Sequence, residues 1–232
     1  DGFIPLNVNS NTKTLSVIHD LNFEYYPQNL PKSTLNYYKK YFKLFAEKAT
    51  RIATVSEYTK HDIIKLYSIK SSKIDVILNG VNETFVPLDN NTKTSVKVKY
   101  TNGYPYFIYV GSLNPRKNIV NLLKAYELFR NCSRQKIKLI LCGNKMWWNN
   151  DMETTYRNMR FKDDVIFTGR VTNDELHLLL GSATALVYVS TFEGFGLPIL
   201  EAMRSDVPVI TSNVTAMPEV AGNAAILVDP FS

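Results

Sequence analysis

"STFEGFGLPILEAM", residues 190–203, follows the apolar run "ALVYVS" (185–190), and its reading decides the fold. A strand ending at Ser190 and a helix starting near Leu197 bracket a turn that holds Gly194 and Gly196. Pro198 falls in the first helical turn, where its missing N–H costs nothing. Such a turn brings unpaired helix amides and a positive dipole end to the C-terminal edge of a sheet, a place that favours phosphate. The two glycines let the backbone of Phe195 and Leu197 approach a ligand closely. Glu193 and Glu201 flank the turn. A carboxylate repels phosphate but accepts hydrogen bonds from paired hydroxyls, so the pattern suits a phosphate with hydroxyl-rich neighbours, the layout of a nucleotide sugar. Taken singly, Glu201 also reads as a first-turn acid that stabilises its own helix by about 0.3–1 kcal/mol.

Working outward, "YFIYV" (106–110), "KIKLILC" (136–142), "DVIFTG" (164–169), "ALVYVS" and "VPVIT" (207–211) are continuously apolar, as parallel strands covered on both faces are. "AILVD" (225–229) adds a sixth. Helical periodicity at 118–129, and Thr172 placed three residues before Glu175 in capping-box spacing, fill the intervals. The alternation predicts a doubly wound α/β domain over 104–232. Upstream, "LSVIHD" (15–20), "RIATVS" (51–56) and "KIDVILNG" (73–80) read as three strands joined by helices near 34–48 and 57–67, about half of a second α/β domain over 1–85. Residues 86–103 have weak periodicity and many turn formers, and are expected to be a linker.

Two phosphates need cations, and "YVGSLNPRKN" supplies them. The strand 106–110 ends at Gly111, and Arg116 and Lys117 stand before a helix beginning near Asn118. Parallel strands present their ends at one edge, so both side chains are expected to meet the anion at the 194–198 turn and to stabilise charge on a departing diphosphate. His19, in "SVIHDL", lies beyond a strand end beside Asp20; it suits either a sugar contact or packing at the strand terminus. His61 and His177 read as structural. Gly143 in "CGNKMWW" and Arg170 in "TGRV" are candidate lining for a base pocket, while Trp147 and Trp148 suit either ligand stacking or packing on the following helix. No acidic pair of metal-binding form and no histidine cluster stands out, so no metal and no cofactor is expected.

The chain has 232 residues, 45% of them hydrophobic, enough for a sizeable core. Cys132 and Cys142 have no metal-ligand spacing, and a buried free thiol is expected at Cys142. No apolar run is long enough to span a bilayer and the first residues lack a signal-peptide layout, so a cytoplasmic location is expected, with the inner face of a membrane as an additional contact surface. Residues 1–100 carry 14 Lys or Arg against 9 Asp or Glu, while residues 101–232 carry 13 against 12. The basic excess in the first part suits an anionic partner or a merely solvated surface. "YYKKYFKLFAEKA" (37–49), which mixes aromatics and lysines, suits a membrane interface or packing on its own domain with snorkelling lysines.

These motifs resemble those of the retaining GT-B glycosyltransferases of family 4 (glycosyl transferases group 1). The matching stretches are "VIHDL", "ATVSEYTKHDI", "KIDVILNGV", "YVGSLNPRKNIVNLLKAY", "EGFGLPILEAM", "VPVITSN" and "MPEVAGNAAILVDP". The resemblance implies two Rossmann-like domains, the second near complete and the first partial, since the family's usual opening strand and glycine loop and its closing helix are not matched. It implies that Arg116 and Lys117 bind the donor diphosphate, that Glu193 and the backbone of Phe195 to Leu197 meet the sugar and phosphate, that Glu201 meets the ribose, and that His19 lies near the transferred sugar. The reaction implied is metal-independent transfer of a hexose, with retention, from a donor such as GDP-mannose or a UDP-hexose to a saccharide or lipid-linked acceptor in polysaccharide biosynthesis. No nucleic acid partner is expected. The alternatives are a catalytically incomplete nucleotide-sugar-binding fragment and a GT-B-like epimerase.

Overall fold

The computed structural model describes residues 3–7, 9 and 11–232. They divide into two units: the first comprises residues up to Gly80 together with Phe192–Gly196 and Thr215–Glu219, and the second comprises the remainder from Val81.

In the first unit a parallel three-stranded sheet has the order β1-β2-β3, with β1 at Leu15–Ile18, β2 at Arg51–Thr54 and β3 at Ile74–Val76. Helices α1 (Asn22–Tyr25) and α2 (Lys32–Lys48) connect β1 to β2, and α3 (Glu57–Tyr67) connects β2 to β3. Phe42, Phe45 and Ala46 of α2 are buried with Ile18, Phe23 and Ile52. Full burial of each large side chain contributes about 1.5–3 kcal/mol. The aromatic and lysine-rich stretch therefore packs its Phe residues on its own unit, while Lys39, Lys40 and Lys43 remain exposed.

The second unit holds a six-stranded parallel sheet in the order β6-β5-β4-β7-β8-β9. Its strands are β4 (Tyr106–Val110), β5 (Lys138–Cys142), β6 (Val165–Gly169), β7 (Ala185–Tyr188), β8 (Val209–Ser212) and β9 (Ile226–Val228). The connecting helices are α5 (Ile119–Cys132), α6 (Asn150–Asn158), α7 (Asn173–Gly181), α8 (Leu197–Arg204) and α9 (Met217–Ala221). Every residue of β5 is buried, which explains its unbroken apolar run. The Thr172 hydroxyl accepts a hydrogen bond from the Glu175 N–H at 3.3 Å, the cap expected from their spacing. Strand order reverses between β4 and β7, the switch point at which doubly wound sheets open a crevice beyond their C-terminal ends.

One expectation needs correcting. Most of the segment 86–103, read as a linker, is helix α4 (Asn90–Thr101) of the second unit. The Asp89 carboxylate caps it, accepting from the N–H groups of Asn91 and Thr92 at 2.8 and 2.9 Å. Only Val96 and Thr101 of this helix are buried, so local capping and polar contacts sustain it without an apolar stripe. The Tyr100 hydroxyl, for example, donates to the Glu175 carboxylate at 2.7 Å.

Candidate functional site

The 192–196 turn is held by the first unit. Gly194 lies so close to the segment after β1 that a Cβ there would stand 2.0 Å from the His19 carbonyl oxygen and 2.7 Å from Asp20 Cβ. Gly194 is thus required by the chain's own backbone. Gly196, at φ 113°, is required by its dihedral angle. The N-terminus of α3 clamps both strands of this contact. The Ser56 hydroxyl donates to the Gly194 carbonyl at 2.7 Å, and the Thr59 hydroxyl donates to the His19 carbonyl at 3.2 Å. Ser56 also caps α3, accepting from the Thr59 N–H at 3.1 Å. Glu219 closes the arrangement by accepting from the N–H groups of Glu57 and Tyr58 at 2.8 and 3.1 Å. A carboxylate at a helix N-terminus is favoured by the dipole as well as by the bonds.

Glu193 is 7% exposed, and its N–H donates to the Thr215 hydroxyl at 3.2 Å. The structure therefore brings Glu193, Gly194 and His19 together, with His19 on the surface. Sequence reasoning missed Ser56, Thr59, Thr215 and Glu219. Ser56 was visible as a helix cap; its reach to a residue 138 positions later was not.

In the second unit, Arg116 and Lys117 occupy a single 3-10 turn at Pro115–Lys117 after β4, capped by Asn114, whose side chain accepts from the Lys117 N–H at 3.2 Å. Asn118 then adopts a left-handed conformation, and α5 starts one residue later than the sequence suggests. The Arg116 carbonyl accepts from both the N–H (2.9 Å) and the hydroxyl (3.1 Å) of Thr191, just beyond β7. This ties the turn after β4 to the end of β7 across the switch point. The Lys117 ammonium is buried and donates to the Tyr188 hydroxyl at 2.7 Å. Desolvated in this way, a cation interacts more strongly with a nearby anion than it would in water.

Glycines stack at neighbouring strand ends. A Cβ on Gly143 would lie 1.9 Å from the Gly111 carbonyl oxygen, and Gly143 also pairs with Gly169. Gly111 and Gly143 have φ of 143° and 152°, so a side chain would be strained at either. Arg170, next to Gly169, is exposed. Trp148 packs against α6, its indole N–H donating to Glu153 at 2.7 Å and its ring meeting Phe167, whereas Trp147 is exposed.

Leu197 opens α8, and Glu201 lies one turn in. Burial pushes the Glu201 carboxyl above the ordinary carboxylate range. A cavity of about 330 Å³ in the second unit is lined mainly by apolar side chains, among them Phe107, Leu122, Val187 and Ile210, together with Asn118, and by none of the site residues expected from the sequence. Among the described residues no three His, Cys, Asp or Glu side chains gather as a metal site, and no helix is long and apolar enough to cross a membrane.

Comparison with known proteins adds independent findings. Residues 90–232 match the family described as "Glycosyl transferases group 1", and residues 3–85 match "Glycosyltransferase Family 4". The chain is similar to O-antigen chain mannosyltransferase B of Escherichia coli, with 33% identity over 219 residues covering 94% of this chain and 58% of that protein. It is also similar to O-antigen chain mannosyltransferase RfbU of Salmonella typhimurium, with 32% identity covering 92% of this chain and 56% of that protein. The chain thus spans somewhat more than half the length of these relatives. In fold it is similar to the crystal structure of Anabaena Alr3699/HepE in complex with UDP-glucose, with a TM-score of 0.77 and 18% identity over 93% of this chain and 58% of that one.

Proposed function

The chain belongs to the glycosyl transferases group 1 family, and from that premise we propose that it carries the donor-binding and catalytic groups of a retaining hexosyltransferase using a nucleotide diphosphate sugar. The observation that carries the reading is the tie between Arg116 and Thr191. It fixes the cationic turn after β4 to the end of β7, where the strand order reverses.

In this reading Arg116 and Lys117 meet the diphosphate, and the amides opening α8 at Leu197 add positive potential. Glu201 accepts from the ribose hydroxyls, and Gly111, Gly143 and Arg170 border the nucleoside. Glu193, Phe195 and the glycine turn contact the sugar, with His19 beside it. The acceptor hydroxyl attacks the anomeric carbon on the face from which the diphosphate departs. The bond from that carbon to the phosphate oxygen breaks with its electron pair, and the acceptor's proton passes to the diphosphate. Arg116 and Lys117 stabilise the charge that grows on the leaving oxygen; loss of one such preorganised donor typically costs about 10²–10³ in rate.

The names of the relatives support mannose as the transferred hexose and a surface polysaccharide as the acceptor class. A contact with an anionic membrane surface is part of the proposal. It is supported by exposed Lys39, Lys40 and Lys43 on α2 beside exposed Tyr37.

The test is to titrate the full-length protein with a panel of GDP- and UDP-sugars and to analyse products with candidate acceptors. Glu201→Ala and Lys117→Ala should each weaken donor binding or turnover at least about tenfold with the fold retained. Donor affinity and activity equal to the parent in both variants would overturn the site.

A further inference from the structure

In the first unit, three tyrosines converge on one buried ring. Phe192, immediately before Glu193, is 3% exposed. Its ring centroid lies 5.2 Å from Tyr25, 6.1 Å from Tyr26 and 5.8 Å from Tyr58. The Tyr25 ring is inclined at 34° to it, while those of Tyr26 and Tyr58 stand at 71° and 75°. Each tyrosine keeps part of its surface in solvent. Packing on Phe192 takes up part of each ring, and Phe192 is followed directly in the chain by Glu193.

The polar atoms of these tyrosines are also specialised. The Tyr25 hydroxyl donates to Asp62 at 2.6 Å, which fixes that ring. The Tyr26 and Tyr58 hydroxyls make no hydrogen bond among the described residues, although Tyr58 interacts electrostatically with Tyr26 and Asp62, so both can donate and accept. Burial, with help from the nearby Asp62 and Tyr26, pushes the Tyr58 hydroxyl up to about 12, so it keeps its proton. The charges that face the cluster are mainly negative: Asp20, Glu24 and Asp62 interact with the tyrosines or with one another, and Lys65 is the cation near Asp62.

Partly exposed tyrosine rings, two hydroxyls that make no hydrogen bond among the described residues and a negative field form a surface suited to a pyranose ring, whose C–H groups lie on aromatic rings and whose hydroxyls need partners. The same field disfavours an anionic group. We propose that Tyr25, Tyr26 and Tyr58 form the acceptor-binding face of this protein and that it receives a neutral sugar residue. The proposal rests on the transferase reading above and names the acceptor side of that same site.

The experiment uses the full-length protein and saturation-transfer NMR with methyl α-mannopyranoside, with mannose 6-phosphate as the anionic counterpart. Binding of GDP and UDP is measured in parallel by calorimetry. Relative to the parent, the double variant Tyr26→Phe/Tyr58→Phe should bind the neutral glycoside about threefold more weakly and Tyr26→Ala/Tyr58→Ala about tenfold or more. Nucleotide affinity should stay within about twofold in both. Equal glycoside binding in the parent and the Phe variant overturns the proposal even if the Ala variant fails to fold. Stronger binding of mannose 6-phosphate than of the neutral glycoside also overturns it. A parent protein that binds neither nucleotide defeats the transferase reading instead, whereas intact nucleotide binding with tyrosine-independent glycoside binding defeats this inference alone.

Discussion

Gly194→Ala is the most discriminating single substitution, because its cost follows from distances. The added methyl would lie 2.0 Å from the His19 carbonyl oxygen and 2.9 Å from the carbonyl carbon, both backbone atoms that no rotamer change can move away. Relieving the overlap by more than 1 Å must separate the 192–196 turn from the segment after β1. Overpacking of this kind costs about 1–3 kcal/mol. The displacement also breaks the Ser56 to Gly194 hydrogen bond, a buried contact contributing about 0.5–1.5 kcal/mol. Together these amount to roughly 1.5–4.5 kcal/mol of local stability, a factor of roughly 10 to 2,000 in the opening equilibrium. Gly80→Ala is the control, since a methyl there meets nothing within 4 Å. The assay is amide hydrogen exchange by mass spectrometry on peptides covering 190–197 and 55–60, which reads local opening without requiring two-state unfolding. Both peptides should exchange faster by that factor in Gly194→Ala and be unchanged in Gly80→Ala. Exchange in Gly194→Ala equal to that of the control would refute the claim that this glycine is dictated by its contact with His19.

Ser56→Ala removes the α3 cap and the bond to Gly194 together, so it should destabilise the first unit by about 1–3 kcal/mol in urea unfolding, with Ser56→Thr recovering part of the loss. Glu201 has its folded-state pKa raised by burial, so its neutral form is the one the fold prefers. Its contribution to stability is fully present at pH below the unfolded value and is lost as pH rises through the folded value; Glu201→Gln should therefore raise stability at neutral pH and leave it unchanged in acid, as thermal unfolding across pH would show. Donor affinity that depends on the ionised Glu201 should begin to fall on acidification at a higher pH than an ordinary glutamate would give. Burial also pushes the Cys142 thiol up, while Cys132 is exposed, so brief alkylation of the native protein should label Cys132 and spare Cys142.

The second unit was the more legible of the two because its signals are local. A strand buried on both faces is a continuous apolar run, and β4 occupies the five residues of "YFIYV". The Thr172 cap lies within three residues of its partner. Helix α4 escaped because its sequence, "NNTKTSVKVKYT", buries little, so no periodic stripe marks it; the capping aspartate at 89 was the available signal. The linear sequence also assigns the 192–196 turn to the unit that contains its flanking strand and helix, whereas its packing belongs to the first unit. Nothing in "EGFG" reveals this, because the atoms that exclude a side chain at Gly194 come from residues 19 and 20.

That difference alters the reason for the glycines. Sequence logic explains a glycine in a phosphate-binding turn by the ligand's need for close approach, and Gly196, with its positive φ, remains compatible with that view. Gly194 has a separate cause in the His19 backbone, so the motif encodes two constraints that look alike in the sequence. One shapes the chain for what it binds, and the other ties a carboxylate-bearing turn to the histidine-bearing segment. Substitutions separate them: a methyl at 194 should open the exchange-protected contact with no donor present, whereas Glu201→Ala should leave that contact closed and weaken only the donor.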